Sequence, residues 1–168
     1  MGFLDGWKYC PRCGSALTRT DNRVDCAACG YFAYGPSIPG TEAVIVDAEG
    51  RVLLGRRAFE PHVGRWDLPG GFLDEAEDVL DALHREVAEE TGLTIEVDGL
   101  LGTWNEPYQD GRTVLCLTWF ARASGEPVAA DDITELRWFA EAEVPWDELA
   151  FAHDAEAIRL GLGRHQNA

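Results

Sequence analysis

Basic residues are scarce in this chain. It has 14 Lys and Arg but 30 Asp and Glu, which gives a net charge of −16. A surface of that sign repels phosphate backbones, so a long nucleic acid is not an expected partner. Small phosphorylated ligands remain possible where a local cation or a metal ion receives them.

Long apolar runs are missing as well, and none approaches the length of a membrane-spanning helix. The N-terminal stretch MGFLDGWKYC lacks the basic segment and the apolar run of a signal peptide, which predicts a cytoplasmic protein. The chain has 168 residues, 46% of them hydrophobic, and suits one ordinary domain with a small appendage.

The five cysteines predict a metal site rather than a disulfide framework, because their number is odd and no secretion signal accompanies them. The segments CPRC and CAAC place Cys10, Cys13, Cys26 and Cys29 as two pairs, and two such turns complete a tetrahedral Zn²⁺ site. A redox dithiol, the alternative, would need only one pair. Four cysteine ligands close the coordination shell, so this zinc is expected to be structural. Cys116 stands alone and is expected to be a buried, inert thiol.

These patterns divide the chain into a zinc ribbon over residues 1–37 and a larger domain over residues 38–168, with GPSIPG (35–40) as a linker. In the larger part, one early helix and a terminal helix from Trp146 to about Leu162 accompany several strands. The sequence therefore predicts an α/β protein, with a mixed α+β sheet flanked by helices. The predicted strands are two in residues 41–57 around a turn at 48–50, a short one before the Pro-Gly-Gly loop, and those at 94–97, 100–104, 113–123 and 135–139.

The early helix has recognisable ends and one apolar face. Asp78 is a suitable N-cap and Gly92 a suitable terminator. Leu80, Leu83 and Val87 follow spacings of three and four, which predicts a stripe facing the core.

A second face of this helix carries Glu86, Glu89 and Glu90, at positions i, i+3 and i+4. At roughly 6 Å and an effective dielectric near 20, each like-charged pair costs on the order of 3 kcal/mol. A solvated surface face is the simple interpretation.

The surrounding residues change this interpretation, because GFLDEAEDVLDALHREVAEETGL (71–93) fits the pattern G-x5-E-x7-R-E-U-x-E-E-x-G-U, where U is apolar. With its LPGG lead-in, this stretch resembles a Nudix box, and the resemblance to the Nudix hydrolase family covers about residues 41–160. It implies an α/β/α sandwich that hydrolyses nucleoside diphosphates linked to another moiety, using Mg²⁺ or Mn²⁺. The matching positions are Gly71, Glu77, Arg85, Glu86, Val87, Glu89, Glu90, Gly92 and Leu93.

The resemblance also implies residue roles. Glu86, Glu89 and Glu90 would bind the magnesium, with the carbonyl of Gly71 as a further ligand. Arg85 would pair with Glu89, and Glu77 would help to orient this shell. Ala76 departs from the glycine that many relatives carry, which strains the loop if that position needs a positive φ.

The general base stays open, because family members use either a glutamate of the box or an acid on a later loop. The loop candidates here are Asp131, Asp132 and Glu135, and Asp131 stands where some relatives supply an extra metal ligand. Each of them is also an ordinary solvated loop acid in the alternative interpretation.

The substrate is also open among ADP-ribose, FAD and NAD(H), each of which would release AMP. A zinc ribbon joined to this domain is similar to the layout of NADH pyrophosphatases, but LLGTWNEPYQDGR replaces their SQPWPFP-type motif. Pro107 lies close to where ADP-ribose-cleaving relatives carry a proline. Candidate substrate contacts are Arg56, Arg57, Trp104 and Tyr108. In the alternative interpretation the two arginines are an ordinary surface pair and the two aromatic residues belong to the core. We assign no role to His62, His84 or His153, because their positions do not show the spacing of metal ligands.

Two other functions compete with this one. A nucleotide-binding sensor could keep the fold without hydrolysis, but an intact set of box acids favours an enzyme. Removal of caps from RNA is known for zinc-ribbon relatives, but the net charge of −16 opposes it. The resemblance also implies a homodimer.

Overall fold

The computed structural model describes residues 3–108, 111–123 and 125–166. Its two α-helices are α1 (Val79–Thr91) and α2 (Asp154–Gln166). Short 3₁₀ helices lie at Glu141–Glu143 and Trp146–Glu148. The strands are β1 (Thr18–Thr20), β2 (Arg23–Asp25), β3 (Phe32–Tyr34), β4 (Ile38–Val46), β5 (Val52–Arg57), β6 (Trp66–Asp67), β7 (Gly70–Phe72), β8 (Ile95–Pro107), β9 (Thr113–Ala123) and β10 (Ile133–Phe139).

The strands form two sheets. The smaller sheet, in the cysteine-rich segment, is antiparallel with the order β1-β2-β3. The larger sheet has the order β10-β5-β4-β9-β8, with β6 beside β5 and β7 beside β4. It is mixed, because β4 and β9 run parallel whereas the other neighbours run antiparallel.

Strand β4 lies at the centre of the larger sheet and buries both of its faces. Val44 and Val46 belong to a core cluster with Ile158 of α2, whereas Ile45 belongs to another with Leu83 of α1. Successive side chains of a strand point to opposite faces, so one strand contributes to both cores. The sheet therefore lies between the two helices, which confirms the predicted α/β/α sandwich.

The predicted linker at 35–40 is partly wrong. Strand β4 begins at Ile38, and residues 38–40 pair with Val114, Leu115 and Cys116 of β9. Pro39 has no N–H to donate, but its carbonyl accepts from the backbone N–H of Leu73 at 3.3 Å. The domain boundary at residues 37 and 38 stays a prediction.

Two other boundaries differ from prediction. The strands predicted at 94–97 and 100–104 are one strand, β8, whose register shifts between Val97 and Leu100. Gly99, with φ 95°, lies inside that irregularity and lets the strand bend and continue. The predicted terminal helix is interrupted, because Ala150 donates to the carbonyl of Trp66 at 2.8 Å, and α2 starts only at Asp154. No helix in the described ranges has the length and apolar character needed to cross a membrane.

Candidate functional site

Helix α1 carries the acidic face, and its predicted ends are confirmed. The side chain of Asp78 accepts from the N–H of Leu80 at 2.9 Å, and Gly92 ends the helix in the left-handed conformation with φ 68°. Leu83 and Val87 are fully buried. The caps and the buried stripe together fix the direction in which the acidic face points.

The loop before α1 passes against β4. A Cβ on Gly70 would lie 2.2 Å from the carbonyl oxygen of Thr41, so no other residue fits there. The N–H of Gly70 donates to Oε2 of Glu90 at 2.9 Å, which ties the loop to the helix. Ala76 has φ 65°, the positive φ anticipated for that position.

The three glutamates of the acidic face differ in exposure. The side chain of Glu89 is 49% exposed and that of Glu86 is 15% exposed, whereas Glu90 as a residue is 4% exposed. Burial raises the pKa of Glu86. Burial and a hydrogen bond with Asp132 raise the pKa of Glu90 to about 10. Without a cation, Glu90 therefore holds a proton at neutral pH.

Arg85 is the cation that holds the acidic face together. Its guanidinium donates to both carboxylate oxygens of Glu77 at 2.8 Å and to Glu86 at 2.8 Å. The contact with Glu89, which the resemblance implied, is longer at 3.3 Å. Hydrogen bonds from Arg85 and from the N–H of Asp74 lower the pKa of Glu77 to about 2. Glu77 therefore stays ionised and fixes the guanidinium.

Of the three loop acids, Asp132 is the one that contacts a glutamate of the box, Glu90. Asp132 lines the same cavity as Glu86, and its Oδ1 is buried without a hydrogen-bond partner in the described part of the chain. Glu135 instead accepts from Arg56 at 3.0 Å and does not line the cavity. Asp131, with φ 52°, is also outside the cavity lining.

A cavity of about 320 Å³ opens beside the box. Its walls come from α1 and from strands β4 to β9, so the box glutamate Glu86 shares it with residues far away in sequence. The lining residues are Gly40, Thr41, Glu42, Arg57, Asp67, Leu68, Gly70, Gly71, Phe72, Asp74, Glu86, Glu106, Tyr108, Val114, Cys116, Asp132 and Phe151.

The structure divides the predicted substrate contacts into two groups. Arg57 and Tyr108 line the cavity, and the ring of Tyr108 meets that of Phe72 edge-on at 5.6 Å. Arg56 and Trp104 do not line it. The guanidinium of Arg56 instead lies 4.3 Å from the ring centroid of Trp66.

Trp104 is part of the core rather than of the cavity wall. It packs against the cluster around α2, and its Nε1 donates to Glu156 at 3.2 Å. Its ring also stacks on His153 at 5.5 Å. This packing fits the interpretation of Trp104 as a core aromatic, and its contact with substrate stays a prediction.

Sequence reasoning missed one cluster of titratable side chains, formed by Glu42, Glu106, Cys116 and His153. His153 lies 2.7 Å from Glu42 and 2.9 Å from Glu106, one carboxylate at each ring nitrogen. Burial lowers the pKa of His153, but hydrogen bonds with Cys116 and Glu42 outweigh it and raise the pKa to about 12. No spacing signal could reveal this cluster, because its members lie on β4, β8, β9 and the turn before α2.

The paired cysteines converge as predicted. The Sγ atoms of Cys10 and Cys29 are 3.6 Å apart, those of Cys13 and Cys26 are 3.5 Å apart, and all four lie within 4.8 Å of one another. The residue after each pair, Gly14 or Gly30, has a positive φ and donates back to the first cysteine of its pair at 2.9 Å. These four thiols fit a tetrahedral Zn²⁺ ion.

Comparison with known proteins adds a family and several relatives. A family model described as NUDIX domain matches residues 36–160. An ADP-ribose pyrophosphatase of Methanocaldococcus jannaschii is 36% identical over 112 residues, which cover 66% of this chain and 65% of that protein. An NAD-capped RNA hydrolase NudC of Haemophilus influenzae is 30% identical over 143 residues, covering 82% of this chain and 53% of that protein. The chain thus spans between about half and two thirds of the length of these relatives.

A solved structure extends the likeness to the whole described fold. The crystal structure of a NUDIX hydrolase from Nitrosomonas europaea superposes with a TM-score of 0.79 at 26% identity, and the match covers 95% of this chain and 93% of that one.

Proposed function

The chain belongs to the NUDIX family of hydrolases, and we propose that it hydrolyses the pyrophosphate bond of ADP-ribose to release AMP. The observation that carries the proposal is the shared cavity. Glu86 and Gly71 of the box lie on its wall together with Arg57 and Tyr108, which suit a phosphate and an aromatic base.

The acidic face fits a hard divalent cation. The buried Oδ1 of Asp132 lacks a partner in the described part of the chain, and the adjacent Glu90 has a strongly raised pKa. Both features are typical of carboxylates that bind a cation. We assign Glu86, Glu89, Glu90 and the Gly71 carbonyl as the ligands of Mg²⁺ or Mn²⁺. When bound, the ion polarises the diphosphate and lowers the pKa of the attacking water.

The chain's own residues orient this centre. Arg85 holds Glu86 and Glu89, and Glu77 in turn holds Arg85, so the carboxylates keep their direction when substrate arrives. Arg57, which pairs with Asp67 on the cavity wall, offers its guanidinium to a substrate phosphate. We assign the general base to a glutamate of the box, because Glu86 lines the cavity whereas Asp131 and Glu135 do not. Asp132, which lines the cavity, is the alternative base.

The choice of ADP-ribose is supported by the similarity to an ADP-ribose pyrophosphatase. It is also supported by the replacement of the NADH-type motif with LLGTWNEPYQDGR. NAD-capped RNA is a second candidate, favoured by the similarity to NudC proteins. The net charge of −16 opposes that substrate, because a long RNA is repelled.

The cysteine-rich segment has its own role in this proposal. We assign a structural Zn²⁺ to Cys10, Cys13, Cys26 and Cys29, which leave no open coordination position. The metal supplies folding free energy that a segment with few buried apolar residues, among them Leu4 and Val24, does not supply itself.

A product assay tests the function. The protein is incubated with Mg²⁺ and, separately, ADP-ribose, FAD, NADH, NAD and NAD-capped RNA, and the products are identified by mass. The double variant Glu89→Gln, Glu90→Gln is the control. We expect AMP from ADP-ribose, and its loss in the variant. If no substrate is hydrolysed with Mg²⁺ or Mn²⁺ while one still binds, the protein is a nucleotide sensor instead.

A further inference from the structure

A second group of side chains with metal-ligand chemistry lies on the same cavity as the box but apart from its acids. One carboxylate oxygen of Glu42, the Sγ of Cys116 and one ring nitrogen of His153 lie within 4.8 Å of one another. Glu42 and Cys116 line the cavity, and β4 and β9 hold them next to each other in the sheet. His153 reaches them from the turn before α2.

The imidazole of His153 is held in a defined orientation. Its side chain is 1% exposed, and its Nδ1 lies 2.9 Å from a carboxylate oxygen of Glu106. Its Nε2 faces Glu42 at 2.7 Å. A carboxylate on one ring nitrogen is the usual partner of a metal-binding histidine, because it fixes the tautomer and aims the other nitrogen at the ion.

A further observation points to a missing cation. Asp154 is completely buried, and its Oδ1 has no hydrogen-bond partner in the described part of the chain. That oxygen lies 3.7 Å from Nε2 of His153. The other oxygen, Oδ2, accepts from the N–H of Phe151 at 2.8 Å. A buried carboxylate oxygen left without a hydrogen bond is costly. Glu42, Glu106 and Asp154 surround a single imidazole, so this region has more acids than cations.

We propose that Glu42, Cys116 and His153 bind a divalent transition metal ion of the Zn²⁺ class, with Glu106 orienting His153. A thiolate, an imidazole and a carboxylate together select Zn²⁺ or Co²⁺ over Mg²⁺, which prefers oxygen ligands alone. Binding releases the Cys116 thiol proton and any proton on Nε2, so the ion replaces protons at a buried acidic centre. The site shares no ligand with the cysteine-rich segment or with the box.

This ligand set leaves one coordination position open. Reactive zinc sites have three protein ligands and a fourth position for water or substrate, whereas closed sites have four protein ligands. Since Glu42 and Cys116 lie on the cavity wall, the fourth position is supplied from the cavity.

Metal counting tests the proposal without any substrate. The full chain is loaded with Zn²⁺ and dialysed against excess Mg²⁺, which occupies the oxygen ligands of the box, and its zinc content is measured by mass spectrometry. We expect about two equivalents, one in the cysteine-rich segment and one in the cluster. Cys116→Ser should lose about one equivalent, and the double variant Cys10→Ser, Cys13→Ser should lose the other one. Glu106→Gln should keep the ion but weaken its affinity by about 10- to 100-fold.

Cobalt provides a second readout that does not depend on counting. Co²⁺ bound at the cluster should give a thiolate charge-transfer band in the Cys10→Ser, Cys13→Ser variant, and adding Cys116→Ser should abolish it. His153→Gln should abolish it as well. If Cys116→Ser retains the metal content of the parent protein, the proposal is wrong, and the cluster is a protonated histidine held between two glutamates. The hydrolase function does not depend on either result.

Discussion

The carboxylate of Glu86 lies directly against the backbone of Gly71. A Cβ placed on Gly71 would be 2.4 Å from Cδ of Glu86 and 2.5 Å from its Oε2. Gly71 belongs to β7 and Glu86 to α1, so the strand and the helix fit together only because residue 71 has no side chain. The glycine that opens the box thus fixes the position of one of its acids.

Gly71→Ala should displace the Glu86 carboxylate and lower kcat for ADP-ribose by about 10- to 100-fold, because the metal ligands lose their alignment. Steady-state kinetics with Mg²⁺ measure the effect. Gly6→Ala is the matched control, since a Cβ on Gly6 meets nothing within 4 Å. An unchanged kcat in Gly71→Ala would rule out this role for the contact.

Arg85→Gln should reduce kcat by about 10- to 100-fold with a smaller change in KM, since Glu77, Glu86 and Glu89 lose the cation that orients them. Arg56→Gln removes a partly buried arginine paired with Glu135 outside the cavity, and it should leave both constants close to those of the parent. If the two variants behave alike, Arg85 has no special function in the site.

The pair Glu77–Arg85 should give a specific dependence of stability on pH. The folded pKa of Glu77 is lowered from 4.5 to about 2, so the ionised carboxylate stabilises the folded state at pH values above about 4.5. That stabilisation is lost as the pH falls toward about 2. Urea unfolding of the parent and Glu77→Gln measures it: the difference between them should shrink over this range. A constant difference would contradict the assignment.

Tyr108 and Trp104 should respond in opposite ways to substitution. Tyr108→Ala removes a ring from the cavity wall and should raise KM about 3- to 10-fold with little change in thermal stability. Trp104→Phe removes the hydrogen bond to Glu156 and should lower the stability by about 1 kcal/mol without changing KM. Kinetics and thermal unfolding of both variants separate the two roles, and a KM effect in Trp104→Phe would place it at the substrate.

Local sequence was sufficient for the parts of the site that lie on one element. Glu86, Glu89 and Glu90 share a helix face because of their spacing alone, and Asp78 and Gly92 set the ends of that helix. The four paired cysteines also follow from spacing, since each pair occupies a single turn. The homodimer and the cytoplasmic location stay predictions.

Tertiary structure decided which distant residues share the cavity. Arg56 and Arg57 are neighbours in sequence, but successive residues of a strand face opposite sides, and Arg57 alone of the two reaches the cavity. Glu42 and His153 are 111 positions apart, and they meet only when α2 packs on the sheet. The sequence by itself determined the box and the cysteine turns, because their geometry is set within a few residues. The cavity and its second cluster required the fold, because nothing but long-range packing brings their strands together.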